Sequence, residues 1–496
     1  MLAYNGRREI KNMENLQNIK PKEVFKHFYN ISQIPRGSGN EKEISDYLLN
    51  FAKKLNLEVV QDNALNIIIK KKASKGYENA PTVIIQGHMD MVCENNNDTK
   101  HDFKKDPIEL VVKGDELYAN GTTLGADDGI AVAYAMALLE DNTIEHPALE
   151  ILLTTDEETG MTGAIGLEKE HISGKVLINI DTEEEGYLLV SCAGGIRTKS
   201  SINIEREANW KDSTLAIKVR GLKGGHSGCD IHLGRGNSNK IIGRILKDLN
   251  ERFDIGLISI NGGSKNNAIP READAIITIN NKDEASIKEV VVNWDNIIKN
   301  ELAQSDANVS IEVEKLELDK EVLTKECAKK VIELLYLYPN GVNTMSTTID
   351  NLTESSTNLG IVVTNENEIE FDSAVRSSVD SLKDEIINRI KTISEVIGAD
   401  FEATAGYPGW EYNPNSKIRE ICKYVYKKVT GEEAVVYAIH AGVECGLFQE
   451  KLGDLDMISF GPDINDAHTP NEHLSISSTE RVWNYLIEVL KEMKNY

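Results

Sequence analysis

Four short apolar runs in this chain end in the same way, and that repetition narrows the folds open to it. TVIIQ (82–86) runs into Gly87-His88-Met89-Asp90, and LEILLTT (149–155) into Asp156-Glu157-Glu158. KVLINI (175–180) ends at Asp181, and MISF (457–460) leads into GPDINDAHTP, which carries His468. Continuous apolar runs of this length are strands buried on both faces, as in parallel sheets. Between the first two lies GTTLGADDGIAVAYAMALLE (121–140), uncharged from Ile130 to Leu139 and so a buried helix. Strands alternating with helices predict an α/β layer with a mixed, largely parallel sheet. Ligands of such sheets bind beyond the carboxyl ends of the strands. Asp127 and Asp128, at the start of the 129–140 helix, can reach that rim, where the helix dipole favours carboxylates.

Further pattern divides the chain. Apolar periodicity predicts helices over 21–54, broken at IPRGSGN (34–40), then strands LEVVQ (57–61) and NIIIKK (66–71) and a short helix near GAIGLEKE. From 195 to 409 strands and helices mix on one sheet, which suggests an α+β unit in two similar, ferredoxin-like halves. The first half holds TLAIKVRG, a helix over 237–252, GLISINGG, AIITIN and a helix over 283–304. The second holds SIEVEKL, a helix over 324–337, GIVVTNENEIEFDSAVRSS, a helix over 380–397 and ADFEATAG. After Pro408 the α/β character returns, with helices over 415–429 and 477–494. The expected organisation is one α/β domain in two pieces, 1–194 and 410–496, with 195–409 inserted.

Composition excludes several partners. The formal net charge of −25 argues against nucleic acid or an anionic membrane, since both need basic patches. No apolar stretch reaches the roughly 18 residues a membrane-spanning helix needs. The six cysteines, at 93, 192, 229, 327, 422 and 445, form no CxxC pair, which fits reduced thiols in a cytoplasm. The first 20 residues lack the apolar core of a secretion signal, and residues 1–12, before Met13, look like an extension.

The strand-end residues suit zinc: imidazole and carboxylate, without thiolate. His88, Asp127, Glu158, Asp181 and His468 are candidate ligands, enough for two metals that share a bridging carboxylate. In extended chain His88 and Asp90 share a face, so Asp90 can accept the second ring N–H of His88. Glu157 and Glu158 are adjacent and point apart, so one can bind metal while the other acts as general base.

Gly87-His88-Met89-Asp90, Gly125-Ala126-Asp127-Asp128-Gly129, Asp156-Glu157-Glu158-Thr159-Gly160, Ile180-Asp181 and Asp466-Ala467-His468 resemble the metal-binding series of a known superfamily. It is that of the co-catalytic zinc aminopeptidases, aminoacylases and carnosinases. TLGADDGIAVA, LLTTDEETGMTGAIGL, KGGHSGCDIHLGRGN and IHAGVECGLF are most similar to bacterial aminoacyl-histidine dipeptidases. The likeness runs from about residue 20 to the end. It implies that Asp127 bridges two zinc ions, with a cis peptide to Asp128. His88 and Asp181 would hold one ion, and Glu158 and His468 the other. Glu157 would be the general base and Asp90 the partner of His88. The inserted region would be a lid. His226 of GGHSG resembles the lid histidine that stabilises the oxyanion, the alternative being an exposed histidine in a Gly-rich turn. Asn267 and Arg376 resemble groups that hold the substrate carboxylate, and Gly442 would form a substrate-facing wall. His440 and Glu444 would be structural.

The activity implied is hydrolysis of unblocked dipeptides, Xaa-His such as β-alanyl-histidine among them. Zinc is the first choice of metal, with manganese or cobalt as alternatives. An N-acyl amino acid deacylase or carboxypeptidase would use the same metals. A silent metal-binding scaffold would not need Glu157. A nucleotide enzyme is disfavoured because GLKGGHSG lacks the Lys-Ser/Thr of a phosphate loop. A duplicated lid can stand in for a partner subunit, and a homodimer through the lid fits equally well.

Overall fold

The computed structural model describes residues 19–496. The extension expected over 1–12 lies outside them. Two compact units emerge. One comprises the chain up to Val190 together with Tyr412–Tyr437 and Leu447–Tyr496, the other Ser191–Glu411 with Ala438–Gly446.

The first unit is built on an eight-stranded sheet. Its order is Glu58–Gln61, Ile67–Lys71, Leu149–Thr154, Val83–His88, Val176–Asn179, Asp456–Ser459, Tyr187–Cys192 and Val435–Ile439. Four neighbouring strands, Leu149–Thr154 to Asp456–Ser459, run parallel. The flanking strands Ile67–Lys71 and Tyr187–Cys192 pair antiparallel to them. The parallel strands are almost wholly buried, as their unbroken apolar character requires. Their carboxyl ends lie together, and there the acid- and histidine-bearing turns begin.

The helix Ala126–Glu140 is apolar on every side and buried from Ala126 to Leu139. Such a helix belongs in the centre of a core, not on its surface. It shares one core with Val24, Phe28, Ile85 and Ile178. Tyr134 stacks on Trp483 at 5.5 Å, and its hydroxyl donates to Thr479 O at 2.8 Å. The first two acids are not helical: Asp127 and Asp128 have φ/ψ of −80/106 and −111/35, and the peptide between them is cis.

Sequence pattern gave no strands between 110 and 119, yet Leu110–Lys113 and Glu116–Ala119 form a hairpin. Glu116–Ala119 pairs with His473–Ser475, which pairs with Ile464–Asn465. These strands, two to four residues each, are too short for periodicity to register.

The second unit holds a nine-stranded sheet. Ser213–Arg220, Gly256–Gly262, Ala273–Ile279 and Ser310–Leu316, with helices Ser238–Arg252 and Glu284–Glu301, follow a βαββαβ order. In the sheet they lie 4-1-3-2 by chain order. Gly194–Asn203, Thr353–Thr364, Glu368–Ser377 and Asp400–Tyr407, with helices Lys325–Leu337 and Asp380–Ile397, repeat the same order. The halves meet where Gly262 pairs with Val362. Two expectations need correction. SIEVEKL belongs to the first half, paired with Ser213–Arg220, not to the second. The second half takes its first strand from Gly194–Asn203, so the first half is inserted within it.

Candidate active site

The parallel strands deliver their terminal residues to one cluster. His88 Nε2 lies 3.1 Å from Asp127 Oδ1 and 3.4 Å from Asp181 Oδ1. His468 Nε2 lies 3.0 Å from Asp127 Oδ2 and 3.0 Å from Glu158 Oε2. Asp127 therefore gives one oxygen to each imidazole, and each imidazole meets a second carboxylate. The cluster divides into two three-residue donor sets, His88–Asp127–Asp181 and Asp127–Glu158–His468. Within each set the donor atoms lie within 4.8 Å of one another. All five side chains expected at a metal centre are thus brought together.

Asp90 sits behind His88, with Oδ1 3.4 Å from Nδ1. Its carboxylate accepts from Ser38 Oγ at 2.8 Å and from the backbone N–H of Glu157 and Glu158 at 3.2 and 3.4 Å. Asp90 thus lies against the histidine of one donor set and holds the turn that carries Glu157. Glu157 is half-buried and belongs to neither donor set.

The electrostatics match a cation site. Burial opposes charge on Asp127, but hydrogen bonds from His468 and His88 outweigh it and hold its carboxyl well below the usual range. Burial would lower His88, yet Asp127, Asp181 and Asp90 raise it well above its ordinary value. Hydrogen bonds to Asp127 and Glu158 push His468 up to about 11. Burial drives Asp181 up to about 6 and Asp128 well above its usual value. Excess negative charge around the two donor sets is here met by the His88 and His468 imidazoles, a role divalent cations fill when they displace ring protons. Glu158 Oε1 is buried without a hydrogen-bond partner, as an oxygen meant for a cation would be. These residues fit two metal ions. A third group, Glu23–His27–Glu140, does not, because Lys26 Nζ already lies 2.8 and 2.9 Å from its two carboxylates.

The helix-dipole expectation for Asp127 and Asp128 needs revision. The amides at that turn are taken by Glu472, whose carboxylate accepts from the N–H of Leu124, Gly125, Ala126 and Asp127. Asp128 instead accepts from His88 N at 3.2 Å. Sequence reasoning missed Glu472. It missed Arg36 too, read only as part of a helix break. Both bind main-chain groups far away in sequence, and no local spacing signals such contacts.

The second unit brings its own candidates together. His226 lies on a two-stranded ribbon in which Gly225 pairs with Ile269 and His226 with Ala268. The exposed Asn267 adjoins it, and its main-chain oxygen accepts from Ser227 N at 2.9 Å. His226 Nδ1 accepts from the N–H of Gly228 and Cys229 at 3.3 and 3.1 Å. The neutral ring therefore carries its proton on Nε2. Burial and the Arg376 charge lower its pKa, favouring that neutral form. Arg376 Nη2 lies 3.5 Å from Nε2, and Arg376 Nη1 donates to Tyr407 Oη at 2.7 Å. Two donors thus converge on a point where an anionic oxygen can bind. Gly442 packs on Tyr407, since a Cβ there would lie 2.4 Å from the ring.

His440, expected to be structural, contacts Ser356 Oγ through Nε2 at 2.6 Å. Burial, then Arg376 and His226, push its pKa down to about 3. The unfolded value is about 6.5, so unfolding takes up a proton between those limits. This contribution to stability is complete above about pH 6.5 and is lost as pH falls toward 3, on the order of 5 kcal/mol in all. His440→Gln should flatten that acid-side loss, measured as urea unfolding midpoints across the pH range.

Comparison with known proteins agrees with this geometry. Residues 84–492 match the model of peptidase family M20/M25/M40. The chain is 39% identical to the cytosol non-specific dipeptidase of Escherichia coli over 97% of its length and 99% of that protein. The crystal structure of aminoacylhistidine dipeptidase from Vibrio alginolyticus superposes with a TM-score of 0.93 at 37% identity, covering 96% of this chain and 97% of that one. Aminopeptidase PepT from Bacillus cereus shares the fold, with a TM-score of 0.56 at 15% identity over 96% of this chain and 99% of its own.

Proposed function

The chain belongs to peptidase family M20/M25/M40, and from that premise we propose that it is a metal-dependent dipeptidase acting on unblocked dipeptides. Xaa-His peptides such as β-alanyl-histidine are among its substrates. The observation that carries the reading is Asp127, whose two oxygens serve two imidazole–carboxylate donor sets. The names of the Escherichia coli and Vibrio alginolyticus relatives support the substrate class. The first of those names also supports a cytoplasmic location, and no helix among the described residues is long and apolar enough to cross a membrane.

His88 and Asp181 would hold one ion, Glu158 and His468 the other, with Asp127 between them. Two divalent cations, with zinc our first choice and manganese or cobalt the alternatives, would supply Lewis acidity toward a carbonyl and lower the pKa of water. Glu157 takes the proton of the attacking water and returns it to the leaving amine. Asp90 fixes the His88 ring and the turn beneath Glu157. Within the second unit, the Nε2–H of His226 and the guanidinium of Arg376 are donors suited to an anionic oxygen. Asn267 and Gly442 are the other candidate substrate contacts of that unit.

Removal of metal with a chelator should abolish hydrolysis, and added zinc should restore it. The test uses β-alanyl-histidine, alanyl-histidine, a tripeptide and an N-acetyl amino acid. Zinc-dependent cleavage confined to free dipeptides supports the reading. Cleavage of the acetylated substrate alone moves the chain to the deacylases, and tight metal binding without cleavage makes it a scaffold.

A further inference from the structure

We propose that Glu472 and Arg36 form a buried positioning pair that sets the spacing of the two metal donor sets, so that tight binding of the ion pair depends on them. The inference rests on the reading of those sets as metal sites.

A single hairpin loop grips Asp127 at both ends. The strands Ile464–Asn465 and His473–Ser475 pair antiparallel, and the loop between them carries His468 and Glu472. His468 meets the Asp127 side chain at 3.0 Å. Glu472 receives the main chain: Oε2 accepts from Leu124 N and Gly125 N at 2.7 and 2.9 Å. Oε1 accepts from Ala126 N and Asp127 N at 2.7 and 3.3 Å. Both oxygens are occupied, so the carboxylate cannot rotate without losing bonds. Its side chain is buried, at 2% exposure.

Arg36 makes the complementary connection. Its guanidinium, also 2% exposed, donates through Nη1 to Met89 O and Asp90 O at 3.1 Å each. Through Nη2 it donates to Gly125 O at 2.5 Å. Arg36 therefore ties the chain that follows His88 to the turn that precedes Asp127. Gly125 must be glycine here: its φ is +69, and a Cβ would sit 2.6 Å from Nη2. The charges facing Arg36 are Glu472, Asp90 and Asp128.

This scaffold does more than add stability. Asp127, Asp181 and Glu158 carry like charge, and without metal they are bridged by side-chain contacts to His88 and His468. Side-chain contacts alone would let the sets spread. Main-chain anchors on both sides of the cluster hold the donors at metal distance before metal arrives. Partners that orient ligands in this way are commonly worth about 10–100-fold in metal affinity.

The experiment titrates zinc against a chelating indicator into metal-depleted wild type, Glu472→Gln, Arg36→Lys and a control, Leu486→Ala. Gln keeps the size of Glu472 but turns an N–H₂ toward two N–H donors. Leu486 is buried in the core on helix Ile476–Glu492, so its truncation lowers stability without touching either anchor. Thermal melts establish that each variant is folded. Zinc affinity should fall about 10–100-fold in Glu472→Gln and measurably in Arg36→Lys. It should stay at the wild-type value in the control despite a lower melting temperature. If Glu472→Gln does not fold, the charge-preserving Arg36→Lys decides by the same titration. Affinity lowered no more in the two anchor variants than in the control overturns the inference. Wild type that binds no zinc overturns instead the reading of the metal centre.

Discussion

Glu157→Gln is expected to lower kcat by roughly 10²–10⁴-fold while zinc still binds with wild-type affinity. Glutamine preserves the volume of the side chain and some of its hydrogen bonding, but it cannot take a proton. Glu157 stands outside both donor sets, and its backbone N–H, which Asp90 accepts, survives the change. Metal binding and the turn should therefore persist while proton transfer fails. Steady-state hydrolysis of alanyl-histidine beside a zinc titration separates the two effects. Unchanged turnover would remove the general base from the mechanism. Loss of zinc binding would mean that Glu157 is a ligand.

Asp127→Asn should have the other large effect. The carboxylate gives one oxygen to the side of His88 and the other to the side of His468, at 3.1 and 3.0 Å. Asparagine has one carbonyl oxygen, so its N–H₂ must face one of the two sites. A donor N–H cannot coordinate a cation, so one site is broken outright and the other loses a negative charge. Bound zinc should fall from two ions to at most one. A loss of several kcal/mol of electrostatic stabilisation corresponds to about 10³-fold or more in rate. Metal analysis of the purified variant and its hydrolysis rate provide the check. Two tightly bound ions in the variant would exclude Asp127 as the bridge.

Much of this was legible in the sequence because parallel strands are written as unbroken apolar runs whose ends face one rim. Val83–His88, Leu149–Thr154, Val176–Asn179 and Asp456–Ser459 all fall where that pattern puts them. The strand Gly194–Asn203 escaped notice for a physical reason. Its inward face carries Thr198 and Ser200, satisfied by Ser373 at 2.6 Å and Ser394 at 2.8 Å. Hydroxyl pairs fill the space that apolar side chains usually occupy, so no hydrophobic alternation appears. Sequence order suggests contiguous halves and so puts SIEVEKL in the second, whereas one half interrupts the other and the strand pairs with Ser213–Arg220. Arg36 and Glu472 were illegible because each recognises backbone, which has no sequence of its own.

That interruption has a consequence for engineering. Within the inserted half the first and last strands are neighbours, with Thr214 opposite Leu316. The ends of the insert therefore emerge side by side, the geometry in which one module can be spliced into another with little disturbance to its host. The host half must meanwhile join residues such as Arg197 and Asp372 across 175 positions of chain. A prefolded insert shortens that span, because its adjoining ends bring the two stretches of the host close together. The same adjacency makes the splice points around 213 and 316 the natural places to exchange this module for a foreign one.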